Sequence, residues 1–386
     1  MPSLTLVKML YCGQGMMTLI EVYNDGVEKP AADHLALVDC GGSSGTPTDD
    51  SLNYIVTKVT AQAAKKLACV VISHQDADHV RYLGLLGGML PSGTTVDRMV
   101  LGGVQWGGPS KGAVSTFAKA VGYDEKDIYW PAKGGSDYPD DGDAGKVGYQ
   151  SKLGDTYLRL VVSGLTVGGV DIKNVSSAVI AVDNGSYRAV LPGDATVETM
   201  RYVNKMTNIA TLLRPVVAVS IPHHGALRTA VENYLSYSKG GRVDDFDYDV
   251  LEDFADTLDA TRAGASAGPY NSHHHPMEEV MDRFYRSTAL SEEHKYVSWM
   301  FDDQDWKGWK ARRAAYSTVQ RIRTFAENDT VGKKSSNDHG AFIYGDVVCK
   351  LAAPGVLRDE EMVEFRPRGT LGHPAAEDPV RYAQEP

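Results

Sequence analysis

The chain has no long apolar run, no closely paired cysteines and no excess of positive charge. No stretch approaches the roughly 20 apolar residues of a membrane span. The opening "MPSLTLVKML" lacks the basic start and extended apolar centre of a secretory leader. A soluble cytoplasmic protein without a membrane partner is the expectation. Cys12, Cys40, Cys69 and Cys349 are widely separated and form no CxxC pair. Three of them adjoin apolar runs, which predicts buried, reduced thiols rather than a disulfide framework. The net charge of −11 repels phosphate backbones and excludes broad electrostatic binding of duplex DNA, although a local cationic groove stays open. Internal repeats and low-complexity tracts are also lacking.

What is present suffices for a substantial core. With 386 residues, 42% of them hydrophobic, the chain fits one large α/β domain with insertions, or a domain plus an extension. "LTLVKML", "MTLIEVY" and "HLALVDCGG" alternate as strands do, and "SLNYIVTKVTAQAAKK" has helical spacing. "LACVVISH" is a short continuous apolar run, as expected of a strand covered on both faces. "VDNGSYRAV" carries an Asn-Gly hairpin signal. Residues 104–150 and 236–265, rich in turn formers and acids respectively, read as insertions. The basic, aromatic "DWKGWKARRAAY" at 305–316 reads as an amphipathic helix, with stacking on nucleic acid as the alternative. "GAFIYGDVVCKL" reads as a terminal strand, and the last dozen residues as a tail.

Chemistry concentrates at three strand ends. "SHQDADHV" places His74, Asp76, Asp78 and His79 within six positions after the buried run. In an extended end followed by a tight turn, residues two apart share a side, so these groups can converge. Imidazole and carboxylate are the usual ligands of Zn²⁺ and Mn²⁺, and four in so short a segment exceed what one ion needs. "LPGD" places Asp194, and "PHHG" places His223 and His224, at two further strand ends next to glycine.

These motifs resemble the metallo-β-lactamase superfamily, whose hallmark HxHxDH appears here as His74-x-Asp76-x-Asp78-His79. Together with "CGQG" at 12–15, "LVDCGG" at 37–42, "LPGD" at 191–194 and "PHHG" at 222–225, they are similar to the branch that contains the hydrolase domain of competence-type DNA-uptake proteins. The phosphorylcholine esterases of the superfamily are also similar. The resemblance implies an αββα sandwich over residues 1–295, carrying the insertions near 104–150 and 236–265, with 296–386 as a C-terminal extension packed on it. It implies two divalent ions, Zn²⁺ or Mn²⁺. His74 and Asp76 would hold one; Asp78 and His79 would hold the other, completed by His224, and Asp194 would bridge them. His223 would be a neighbouring ligand or proton donor, and His275 of "SHHHP" an alternative closing ligand or general acid. Asp39 would orient the metal loop from behind. The chain departs from the pattern in having no histidine between His79 and His223 and in carrying Met16 in "GQGM". Asn174 or Ser177 would then support the first ion, and Asp76 in place of a histidine favours oxygen-preferring ions. The implied activity is phosphodiester hydrolysis through a metal-bridged hydroxide, with Asp78, His223 and His275 as catalytic groups. The substrate would be a nucleic acid or nucleotide-like phosphoester. Hydrolysis of a lactone, amide or other carboxylic ester, and a non-enzymatic metal-stabilised interaction protein with a protein partner, are the competing readings.

Overall fold

The computed structural model describes residues 3–43, 46–131, 133–138, 150–167, 172–231, 247–266, 275–284, 296–300, 308–310, 315–322, 342–358 and 361–371. The alternating N-terminal segments form an antiparallel meander of β1 (Leu4–Met9), β2 (Met17–Tyr23) and β3 (His34–Cys40). Helix α1 (Thr46–Ala61) and strand β4 (Lys66–Leu67) lead to β5 (Cys69–Ile72), which pairs parallel to β3. Short helices α2 (Ala77–Val80) and α3 (Leu83–Met89) follow. Strand β6 (Thr95–Val96) pairs with β4, and β7 (Met99–Leu101) extends the sheet beyond β5 before α4 (Gly108–Ala120).

A second sheet begins with β8 (Ser151–Leu153) and β9 (Thr156–Val162). After α5 (Ile172–Val175), the expected hairpin appears as β10 (Val179–Asp183) and β11 (Arg188–Leu191). Helices α6 (Val197–Asn204) and α7 (Ile209–Leu213) precede β12 (Val216–Ser220). Then come α8 (Leu227–Ala230), α9 (Asp249–Leu258), β13 (Arg262–Ala265) and α10 (Glu278–Met281). The remaining strands are β14 (Tyr296–Met300), β15 (Gly308–Lys310), β16 (Ala315–Ser317), β17 (Val319–Ile322), β18 (Phe342–Leu351) and β19 (Val363–Leu371).

Side-chain alternation turns these elements into four layers. Val7, Ile20, Val38 and Val71 of the first sheet meet Leu160, Ile180, Leu191 and Val217 of the second in a shared core. The alternate residues Leu6, Leu19, Leu37 and Val70 face Ile55 of α1, Leu86 of α3 and Phe117 of α4. On the far side, Val161, Ala181, Val190 and Val219 pack on Met200 and Val203 of α6, Leu213 of α7 and Phe254 of α9. The layer order is αββα, that of a metallo-β-lactamase-like fold. Both faces of β5 are covered, which is why its sequence shows no alternation.

Three expectations require correction. Residues 104–150 are not wholly an insertion: α4 lies within them, and its Val114, Phe117 and Ala118 belong to the core between sheet and helices. Residues 236–265 likewise contain α9 and β13, and Leu251, Phe254, Ala255 and Leu258 of α9 are buried at a helical spacing. Of the acids that made this segment look like a loop, Asp249, Glu252, Asp253 and Asp256 sit at the other positions of that helix. Beyond residue 295, strands join the first sheet. Val347–Leu351 of β18 pair with β1, Ile343–Tyr344 pair with β17, and β19 runs along the opposite edge of β18. Within 305–316 the described residues, 308–310 and 315–316, are strand rather than helix, in β15 and at the start of β16. Residues 305–307 and 311–314, and the tail beyond 371, lie outside the described residues. Among the described residues no helix is long and apolar enough to cross a membrane, and all four cysteines are buried and unbridged.

Candidate metal centre

The motifs of His74–His79, "LVDCGG", "LPGD" and "PHHG" lie at the carboxyl ends of β5, β3, β11 and β12, and "CGQG" joins them from the turn between β1 and β2. His74 leaves β5 two residues after Ile72. Asp76 caps the start of α2, and Asp78 and His79 lie within that helix. The convergence therefore comes from a strand-to-helix turn and not from continued strand alternation. The glycine motifs press backbone against this turn. A Cβ on Gly41 would lie 1.8 Å from Asp78 O, and one on Gly15 would lie 2.5 Å from the same atom. Met16 N donates to Asp78 O at 3.0 Å, so the backbone of "GQGM" holds the turn while the Met16 side chain is buried.

The two oxygens of Asp194 divide the imidazoles between them. Oδ1 is 2.9 Å from His79 Nε2 and 3.7 Å from His224 Nε2. Oδ2 is 3.4 Å from His223 Nε2 and 3.6 Å from His74 Nε2. Asp78 Oδ2 lies 3.5 Å from His224 Nε2, and Asp76 Oδ2 lies 3.8 Å from His74 Nε2. Two compact triads result: His74, His79 and Asp194, and Asp78, His79 and His224, each with ligand atoms within 4.8 Å of one another. The Nε2 atoms of His74, His79 and His224 and Oδ1 of Asp194 are fully buried and make no hydrogen bond. The short His79–Asp194 approach is thus a facing of two acceptor directions, not an aligned hydrogen bond. Buried polar atoms left without partners cost on the order of 1–3 kcal/mol each. Four of them aimed at the same small volume fit divalent cations.

The opposite ring nitrogens are each engaged. Asp39, itself 1% exposed, accepts from Ser73 N at 2.6 Å, Ser73 Oγ at 2.8 Å and His79 Nδ1 at 2.9 Å. A carboxylate can only accept, so Nδ1 of His79 carries the proton and Nε2 presents its lone pair. His224 Nδ1 donates to Ser266 O at 2.8 Å, with the same effect. His223 Nδ1 and Thr229 Oγ1 are 2.9 Å apart. Ser177 Oγ accepts from Asp194 N at 3.1 Å and lies 3.4 Å from His74 Nδ1, so it steadies both groups from behind. Asn174 is buried one helical turn earlier.

Burial alone would raise the carboxyl pKa values and lower those of the imidazoles; the cluster overrides this for most of them. Asp194 is held well below the ordinary carboxylate range by His223, His79, His74 and His224. Asp78 is lowered by its contact with His224 and the charge of His79. His79 is pushed well above its usual value by Asp194 and Asp39, and His224 is raised by Asp194 and Asp78. His223 goes the other way: burial lowers it and Asp194 compensates only in part. The site thus favours positive charge between its carboxylates, which protons or metal ions can supply.

Asp39, Asp76, Asp78, His79, Asp194, His223 and His224 lie together with His74. The His275 ring is 5.9 Å from that of His223 and stacked 6.4 Å from that of His224. His273 and His274 lie outside the described residues. Sequence reasoning missed Lys173, whose ammonium is 3.0 Å from Asp76 Oδ1 with the side chain half exposed. It also missed Ser73, Thr229 and Ser266. Only Lys173 left a trace in sequence, as the one cation in "DIKNVSS".

No protein-family model matches the chain, and no curated protein matches it. Among solved structures, it is similar to the metallo-β-lactamase fold protein YhfI from Bacillus subtilis, at 13% identity and a TM-score of 0.32, covering 57% of this chain and 70% of that one. Human tRNase Z, short form, matches at 11% identity and a TM-score of 0.35, covering 69% and 92%. CmlA, a diiron β-hydroxylase from Streptomyces venezuelae, matches at 13% identity and a TM-score of 0.35, covering 73% of this chain and 48% of that one. At these identities and scores the likenesses decide nothing about activity, and the four-layer architecture rests on the strand pairing and cores described above.

Proposed function

We propose that the protein is a metal-dependent hydrolase of phosphodiesters, acting on a nucleic acid strand or a nucleotide-like molecule. The observation that carries this reading is the convergence of four buried, unpartnered ligand atoms between Asp78, Asp194 and three histidines. His74, Asp76 and Asp194 would hold one divalent ion, and Asp78, His79, His224 and Asp194 the other. Such ions supply Lewis acidity, so that water becomes a nucleophile near neutral pH and charge on the attacked ester is neutralised.

The chain's own groups do the rest. Asp39 and the Ser266 carbonyl fix the tautomers of His79 and His224. Asp194, facing both triads, orients the attacking water, and Asp78 shares that task. His275, whose ring neighbours those of His223 and His224, would deliver a proton to the leaving oxygen. Lys173, ion-paired to Asp76, adds positive charge beside the site for an anionic substrate. The carboxylate-rich donor set suits oxygen-preferring ions such as Mn²⁺, and such ions bind phosphoryl oxygens well, which favours phosphoesters over carboxylic esters. The motif resemblance to the DNA-uptake branch points to the same substrate class.

The test is turnover of bis-p-nitrophenyl phosphate with Mn²⁺, measured for the wild type and for an Asp78→Ala/His79→Ala protein. Metal-dependent turnover that the double variant abolishes is the expected result. Undiminished turnover in the variant ends the proposal, and activity on a lactone with none on the phosphodiester supports the carboxylic-ester reading.

A further inference from the structure

His223 stands outside both compact triads, yet its Nε2 is 3.4 Å from Asp194 Oδ2. That is the oxygen His74 faces, at 3.6 Å, while His79 and His224 face Oδ1. The only other imidazole of the His74 triad is His79, which the Asp78–His224 triad shares, and the sequence has no histidine between His79 and His223. The other carboxylate on the His74 side, Asp76, is shared with Lys173.

The backbone shows how two adjacent imidazoles reach different oxygens. His223 (φ 46°, ψ 48°) and His224 (φ 55°, ψ 14°) are both left-handed, a conformation that glycine adopts freely and that L residues other than Asn and Asp adopt at a cost of about 1–2 kcal/mol each. Their rings diverge, with centroids 6.2 Å apart and planes at 71°. The turn is fixed by His223 N donating to Gly193 O at 2.9 Å, which ties "PHHG" directly to the residue before Asp194. Thr229 Oγ1 holds the remote nitrogen of the ring at 2.9 Å, the kind of outer support that ligand imidazoles carry. Consecutive strained residues, locked to the neighbouring motif and splitting their rings across one carboxylate, are hard to account for if only His224 is a ligand.

We infer that the "PHHG" turn is a divided ligand pair: His224 serves the ion of Asp78 and His79, and His223 supplies the missing imidazole to the ion of His74 and Asp76. This assignment rests on the metal-dependent reading above and replaces the role of His223 as proton donor.

The experiment is metal content and calorimetry on the full chain, stripped with a chelator and reloaded with Mn²⁺. The wild type is expected to hold two ions. His223→Gly, in which glycine accepts the left-handed backbone without a Cβ penalty, is expected to retain one ion and to melt, metal-free, no lower than the wild type. His275→Ala is expected to keep both. Thr229→Val, which leaves the ring in place, is expected to weaken one of the two binding events by about 10–100-fold and spare the other. Two ions bound with wild-type affinity in both His223→Gly and Thr229→Val overturn the inference. So does a wild type that binds a single ion, which leaves metal dependence itself standing. A wild type that binds none overturns both readings.

Discussion

Asp39→Asn isolates one charge with almost no change in shape. Asp39 sits at φ 57°, a left-handed conformation that asparagine also tolerates, so the backbone has no reason to move. The carboxylate receives three donors: the amide and hydroxyl of Ser73 and Nδ1 of His79. An asparagine can accept only through Oδ1. If Oδ1 keeps the Ser73 amide, its NH₂ faces His79 Nδ1, and two donors cannot meet. The neutral imidazole must then move its one proton from Nδ1 to Nε2, the atom that faces Asp194 and the ligand volume. Outer partners of ligand histidines are worth about 10–100-fold in metal affinity, or about 1.4–2.8 kcal/mol at 1.4 kcal/mol per tenfold. Titration of Mn²⁺ into the stripped protein, followed by calorimetry, should show that loss in the ion served by His79. Far-UV circular dichroism should be unchanged. Wild-type affinity in a folded Asp39→Asn protein would refute the tautomer argument.

Three other outcomes follow from the geometry. Gly41→Ala places a Cβ within 1.8–2.3 Å of the Asp78 carbonyl and the His79 amide, so the turn must shift; metal binding should fall at least tenfold while the thermal transition stays cooperative, and intact binding contradicts the packing. Phe117→Ala, in a fully buried position of α4, should cost about 3–5 kcal/mol in denaturant unfolding; a cost near zero would mean that α4 is not part of the core. Glu28 accepts a bidentate pair from Arg366, which with Lys8 holds its carboxyl down to about 2 against the resistance of burial. Its folded pKa is depressed, so this contribution is complete above about pH 4.5 and disappears as pH falls toward 2. Stability of the wild type should decline through that window by about 1 kcal/mol more than that of Glu28→Gln, the figure being reduced for solvent screening; parallel pH profiles would exclude the contribution.

The candidate metal loop is legible in sequence because its information is local. Four ligand-type residues in six positions, after a run buried on both faces, need no distant partner to be noticed. The glycines of "CGQG" and "DCGG" were visible as motif, but their role against the Asp78 carbonyl depends on a contact across more than thirty residues. Helix α9 was misread because its acids dominate composition, although Leu251, Phe254, Ala255 and Leu258 keep helical spacing. Helix α4 was hidden by glycines and a proline at its start. In 305–316 the basic residues suggested a helix face, whereas the described residues 308–310 and 315–316 are strand. Ser73, Thr229 and Ser266 act through single hydrogen bonds that no sequence window encodes.

The pairing of β18 with β1 joins residues 347–351 to residues 5–9. A ribosome therefore releases the start of this sheet long before its neighbour has been made. Until then one side of β1 offers bare amide and carbonyl groups to any passing strand, and the nascent chain is open to mispairing. Closure of so distant a contact is slow. Chains cut short before residue 342 should accordingly gather as aggregates rather than as smaller folded proteins.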